Sequence, residues 1–319
     1  MTKPYKFDKL DKPHLNPRSG TAYALSKTVE YLKQGIGLSK RLYKEAYGKS
    51  PYIHSYETLE RYVGVFNHFK DTVLISDRVN TINKITTIHI DTHFDNLLKQ
   101  NCSEKTISIN ASALMKLFEV LDRYDLMKYI ESKRLLWRKS ATPSVKTEPF
   151  VCPEKVIQAM PYPYKAYAII QYLTGARVSD IRKVYEWILK NPQASVITIK
   201  KSKGGRDRTI DYSDRPVSLG YIRDAVEKIR RHFKSDDIDW ARYMKEYTKE
   251  VKLAARKCNE TYCGTHAFRV NYANERYDGL FRENDMLNER EKKILSIITE
   301  DLGHSRLSMA KYYISAYRK

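Results

Sequence analysis

The chain has 319 residues, more than one domain usually holds, and its 42% hydrophobic and 30% charged content excludes a disordered chain. Fifty-eight Lys and Arg against 38 Asp and Glu leave a net charge of +20, which repels itself in a compact fold and is relieved by a polyanion, so nucleic acid is the expected partner. No apolar run approaches the ~20 residues that cross a bilayer, Met1 to Gly20 lack the apolar stretch of a signal peptide, and four cysteines make no disulfide framework, so a cytoplasmic protein with no membrane role is expected.

Residues 21–47 read as helical, with Leu25, Val29, Leu32 and Ile36 at helical spacing and Gly35 and Gly37 weakening the later turns. Ser55 is placed to cap a helix whose stripe is Leu59, Tyr62, Val63 and Phe66. A further helix carries Ile90, Phe94, Leu97 and Leu98, and another follows Ser103 with Leu114, Leu117, Phe118 and Leu121. Residues 139–154 hold Pro143, Pro149 and Pro153 without periodicity and read as a linker.

Beyond it, Tyr164 to Leu173 is helical and Gly175 supplies the stop, with Ser179 placed to cap the next helix. Val196 to Ile199 and Arg208 to Ile210 read as two strands of a hairpin, turning at Gly204-Gly205. Helices then cover Ala241 to Lys257, a segment opening near His266, and one with Leu287, Ile294, Ile297, Ile298 and Leu302 that stops at Gly303. The fold class expected is mainly α with a small β-hairpin, in two domains.

The polar residues after position 170 carry information by order and spacing: Arg177, Lys203 at the hairpin turn, His266 and Arg269 three apart, His304, and Tyr313 nine residues further on. There is no acidic cluster with metal-ligand spacing, and Cys258, Cys263 and His266 lack a fourth ligand for zinc, so neither metal nor cofactor is expected. Without a metal, a phosphodiester is broken only if side chains meet its charge. Two guanidiniums, Arg177 and Arg269, can fork onto nonbridging oxygens, and His266 shares a helix face with Arg269. His304 can donate a further hydrogen bond. Lys203 can protonate a leaving oxygen, and a tyrosine hydroxyl near adjacent positive charge can act as nucleophile.

This pattern, Arg177, Lys203, His266-Ala267-Phe268-Arg269, His304 and Tyr313, resembles the tyrosine recombinase (phage integrase) family, whose order of Arg, Lys, His-x-x-Arg, His or Trp, and Tyr it reproduces. The resemblance implies a DNA clamp: an N-terminal arm and helical appendage over residues 1–50, a core-binding domain over 51–138, the linker 139–154, and a catalytic domain over 155–319. It implies Tyr313 as nucleophile, Arg177 and Arg269 as phosphate clamp, His266 and His304 in phosphate contact and proton transfer, Lys203 as general acid, and Asp180 in support. Spacing from His304 selects Tyr313 over Tyr312, which would face about 100° away on a helix. The partners implied are double-stranded recombination sites, further copies of the chain in dimers and a tetramer, and accessory DNA-bending proteins.

Departures from the family pattern are Val270, where many members carry a second His, a polar stretch at Asp278 to Arg290 that reads as inserted, and only Ile314 to Lys319 after Tyr313, which puts coupling through a C-terminal segment in doubt. Integration or excision of a mobile element is the expected role. The alternatives are a Xer-type dimer resolvase, a type IB topoisomerase-like or telomere-resolving enzyme, and a DNA-binding protein without catalysis.

Overall fold

The structure, a computed structural model, describes residues 12–13, 15–16, 18–144, 147–202, 205–233, 238–282, 289–304 and 306–315. The chain divides into two compact units, Met1–Val145 and Lys146–Lys319.

Unit 1 is helical: α1 (Thr21–Lys33), α2 (Lys40–Tyr47), α3 (Tyr56–Phe69), α4 (Thr87–Lys99), α5 (Glu104–Val120) and α6 (Tyr124–Ser140). Where the sequence reads one helical segment over 21–47, the chain stops after Lys33 and restarts at Lys40 under a cap from Ser39, whose Oγ accepts from Leu42 N at 3.4 Å. Ser55 caps α3 in the same way, as expected, and Ser103 caps α5. The apolar stripes meet in one core in which Phe66, Phe69, Phe94, Leu117 and Phe118 are fully buried and the Phe94 and Trp137 rings stack at 3.9 Å. Leu25 and Leu32 of α1 lie in that same core.

Unit 2 contains α7 (Pro153–Gln158), α8 (Tyr164–Thr174), α9 (Ile181–Lys190), strands β1 (Val196–Ile199) and β2 (Arg208–Asp211), then α10 (Pro216–Phe233), α11 (Trp240–Lys257), α12 (His266–Arg282), α13 (Glu289–Asp301) and α14 (Leu307–Ser315). The strands pair antiparallel, Ile197 opposite Ile210 and Ile199 opposite Arg208. Alternation puts Ile197, Ile199, Ile210 and Arg208 on the buried face.

Two cores meet along α12. Ala267 and Phe268 belong to the larger one with Tyr167, Ile197, Ile210 and Tyr247, while Val270, Tyr272 and Ala273 join Leu295, Ile298, Leu302, Ala310 and Tyr313 in the second. From Ala267 to Asn274 every residue of α12 is buried, the polar Arg269, Asn271 and Asn274 included. Val270 is therefore core.

Two local expectations change. Ser179 does not cap α9: it lies inside a 3-10 turn, Val178–Asp180, and Asp180 holds the cap position without a side-chain cap bond. Of the polar stretch read as inserted, 278–282 is the end of α12 and 289–290 the start of α13, with 283–288 outside the described residues. Gly204 of the hairpin turn, Leu287 and the stretch 316–319 also lie outside the described residues. Among the described residues, no helix is long and apolar enough to cross a membrane.

Candidate active site

Four of the predicted residues come together on α12, α14 and the loop between α13 and α14. His266 opens α12 and Arg269 follows three residues later, one turn on, so both face the same neighbours. Tyr313 sits on α14 at 5% exposure, and its hydroxyl is 2.9 Å from His266 Nε2. Tyr312 is 38% exposed.

His304 is positioned by the end of α13. Gly303, in the left-handed region at φ +64°, donates to the Glu300 carbonyl at 2.8 Å, and the His304 N–H donates to Thr299 O at 2.8 Å. This is the paired Schellman closure, which only a residue tolerating positive φ completes cheaply. The ring then stands 5.6 Å from the Tyr313 ring, and Arg269 Nη2 lies 3.1 Å from His304 Nε2. Since a guanidinium only donates, Nε2 is the acceptor and the proton of this neutral ring is on Nδ1. Burial, then the charges of Arg269, Arg177 and Arg208, hold the imidazolium down to about 3, so His304 is neutral at physiological pH.

Arg269 is fully buried. It donates to Gly175 O and Leu302 O, both at 2.5 Å, while its Nε has no hydrogen-bond partner among the described residues. Burial, with Arg208 and Arg177 nearby, lowers its pKa to about 9, still charged at neutral pH. A buried cation without a carboxylate partner is unfavourable until an anion meets it.

Arg177 enters from the end of α8. Gly175 closes that helix at φ +56°, and a Cβ there would lie 2.5 Å from Tyr272 Cδ1. Two residues on, Arg177 Nη1 lies 3.6 Å from Asp180 Oδ2 and donates to Ser202 Oγ at 2.9 Å, while Ser202 Oγ donates to Asp180 Oδ2 at 2.6 Å. Lys183 Nζ donates to Asp180 Oδ1 at 3.1 Å. The buried Asp180 thus faces two cations and one hydroxyl. Lys203 lies outside the described residues, one position beyond Ser202.

Two residues not singled out in the sequence belong to this assembly. Ser202 is 5% exposed and links Arg177 to Asp180. Arg208 is 1% exposed and donates to the Thr174, Gly175 and Asp301 carbonyls. Its alternation with the inward Ile210 is the one sequence signal that its side chain points to the core.

No family model matches the chain, and no curated protein matches it. Solved structures do. A lambda integrase tetramer bound to a Holliday junction is similar at TM-score 0.63 and 14% identity, over 95% of this chain and 80% of that one. A lambda integrase dimer bound to a COC′ core site gives TM-score 0.61 and 13% identity, over 93% of this chain and 77% of that one. A lambda integrase (75–356) dimer on the same kind of site gives 0.58 and 14%, over 93% and 95%. At such identities the likeness is one of fold: this chain is mainly α with a small two-stranded sheet, folded like lambda integrase.

Proposed function

We propose that this protein is a site-specific DNA recombinase that breaks and rejoins duplex DNA through a 3′-phosphotyrosyl bond at Tyr313. The observation that carries the reading is the 2.9 Å contact between Tyr313 Oη and His266 Nε2, beside a buried guanidinium that also reaches His304. A structural tyrosine needs no such neighbours. Tyr313 Oη attacks the scissile phosphorus and its proton passes to His266 Nε2. The bond from phosphorus to O5′ breaks as Lys203 protonates the leaving oxygen. Arg177 and Arg269 meet the charge growing on the nonbridging oxygens, and His304 Nδ1–H offers one more donor. Asp180, through Ser202, holds Arg177 in place.

Attack by a 5′-hydroxyl on the phosphotyrosine runs the same steps in reverse. One phosphoester replaces another, so no energy source or metal is required. Residues 51–138 act in this reading as the core-binding domain and 155–319 as the catalytic domain, joined by 139–154. The copies assemble as dimers and a tetramer on DNA, as the lambda integrase structures do on theirs, with room for accessory DNA-bending proteins. The role we propose is integration and excision of a mobile element, tested by direct repeats flanking its gene.

The test of the chemistry is a nicked suicide duplex carrying a site selected by binding to the wild-type chain. A covalent protein–DNA band should form in the presence of a chelator and vanish in Tyr313→Phe. A band that survives in Tyr313→Phe, or none in wild type on a duplex it binds, contradicts the reading.

A further inference from the structure

We propose that Arg208 is a positioning residue of this site, one that ties together the two loops bearing Arg177 and His304 without itself touching DNA. The inference rests on the recombinase reading above and concerns how its phosphate clamp is held.

Arg208 lies on the inward face of β2 and is 1% exposed. A strand interior selects apolar residues there, and burying a guanidinium instead is unfavourable unless each N–H finds an acceptor. The acceptors are three backbone carbonyls. Thr174 O and Gly175 O close α8, and Asp301 O closes α13. Carbonyls at a helix C-terminus lack intrahelical donors and carry the negative end of the helix dipole, so a cation satisfies both needs. Arg208 Nη1 is 3.4 Å from Gly175 O, which also accepts from Arg269 Nη1 at 2.5 Å. One carbonyl is therefore shared by the clamp arginine and the arginine beneath it.

The loops leaving these two helix ends carry the chemistry. Arg177 is two residues past Gly175, and His304 is three past Asp301. Gly303, in the second loop, packs on the Arg208 stem, where a Cβ would meet Cδ at 3.3 Å. The forked guanidinium spans two chain segments 93 residues apart in sequence from Arg208 to Asp301, and 34 apart back to Thr174. An ammonium carries the same charge but no planar fork, so it cannot hold three carbonyls in this arrangement. Asp301 does not neutralise Arg208 by direct pairing, since its carboxylate accepts from Tyr272 Oη at 2.8 Å and lies 3.4 Å from Arg276 Nε.

The experiment compares the full-length wild-type chain with Arg208→Lys and Arg208→Met on the selected nicked duplex, under single turnover at saturating protein. Three quantities are read: cleavage rate, final amplitude, and the protein concentration at half-saturation, with circular dichroism to verify folding. A displaced clamp slows chemistry without weakening contact to the rest of the duplex, so the rate should fall about 100-fold in both variants at unchanged amplitude and half-saturation. Wild-type rate in Arg208→Lys overturns the proposal, because charge alone then suffices. Loss of amplitude in proportion to loss of folded protein, at wild-type rate, assigns Arg208 to folding and overturns it as well, as does failure of both variants to fold. A wild-type chain that forms no adduct sinks the recombinase reading itself, and that result is separate from all of these.

Discussion

Tyr312 and Tyr313 are chemically identical and adjacent, yet one is 38% exposed while the other is 5% exposed with its hydroxyl on His266. Substituting Tyr312 by Phe should leave cleavage within about threefold, the scale of a surface change, whereas His266→Ala should slow it by about 100-fold or more through loss of the proton acceptor. Rates of adduct formation on the nicked duplex decide both. His304 gives a stability test. Its folded pKa of about 3 lies below the unfolded value near 6.5, so folding excludes a proton. The native state is unaffected above about pH 6.5 and loses stability as pH falls from there toward 3. Thermal melts of His304→Asn should show a shallower loss over that window than wild type, and equal slopes would contradict the burial argument.

Much of the candidate site was legible at this scale because the proposed chemistry calls for these residue types in this order: Arg177, His266, Arg269, His304 and Tyr313 are all brought to one region. Arg208 was not, since a basic residue in a short strand near a lysine-rich turn reads as a rim. Its alternation with Ile210 hints at an inward side chain, but the carbonyls it meets there, at the ends of α8 and α13, are 34 and 93 positions away. Ser202 was hidden for the same reason, its partners being 22 and 25 positions away.

At the scale of elements, the two helix ends at Gly175 and Gly303 do the positioning. Gly175→Ala would force both a methyl onto the Tyr272 ring, 2.5 Å away, and a non-glycine residue into φ +56°. A loss of about 2 kcal/mol is expected from the backbone conformation alone, measured by denaturant unfolding, together with slowed cleavage as Arg177 moves. A second pH effect of opposite sign comes from α12. Glu275 lies 2.5 Å from Tyr172 Oη, which also contacts Glu154 at 2.7 Å, and burial followed by the Glu154 charge raises Glu275 to about 7. Because this value is above the unfolded one near 4.5, stability is fully present below pH 4.5 and is lost as pH rises through 7. Glu275→Gln should flatten that decline in thermal melts; an unchanged decline would count against it.

Helices with one clean stripe, α3 and α5 among them, were readable, α3 with its Ser55 cap. Those the sequence did not announce each have a physical reason. α6 shows Leu135 and Leu136 to solvent at 63% and 56%, α10 shows Val217 and Tyr221 at 70% and 60% with Gly220 between them, and these blur the stripe. α7 spans six residues, too short for a period to register.

For the whole molecule, the charge of +20 fits a ligand held largely by phosphate contacts. Affinity for duplex DNA should drop about a thousandfold between 50 and 200 mM salt if six or more phosphates are neutralised; a flat salt dependence would contradict this. Fold likeness to lambda integrase at 13–14% identity shows how little of the sequence that architecture constrains, because core positions accept many apolar combinations of similar volume. Tyr313 lies against His266 of its own chain, and under the proposed function each copy would supply its own nucleophile. Mixing Tyr313→Phe with Arg269→Ala chains should therefore restore no cleavage. Restored activity would mean that the tyrosine is delivered from a neighbouring copy.

The most direct measurement is proteolysis of the wild-type covalent complex, followed by mass spectrometry of the nucleotide-bearing peptide. The expected result is a single modified residue, Tyr313, linked to a DNA 3′-phosphate; attachment at Tyr312 or any other residue, or through a 5′-phosphate, would contradict the central claim.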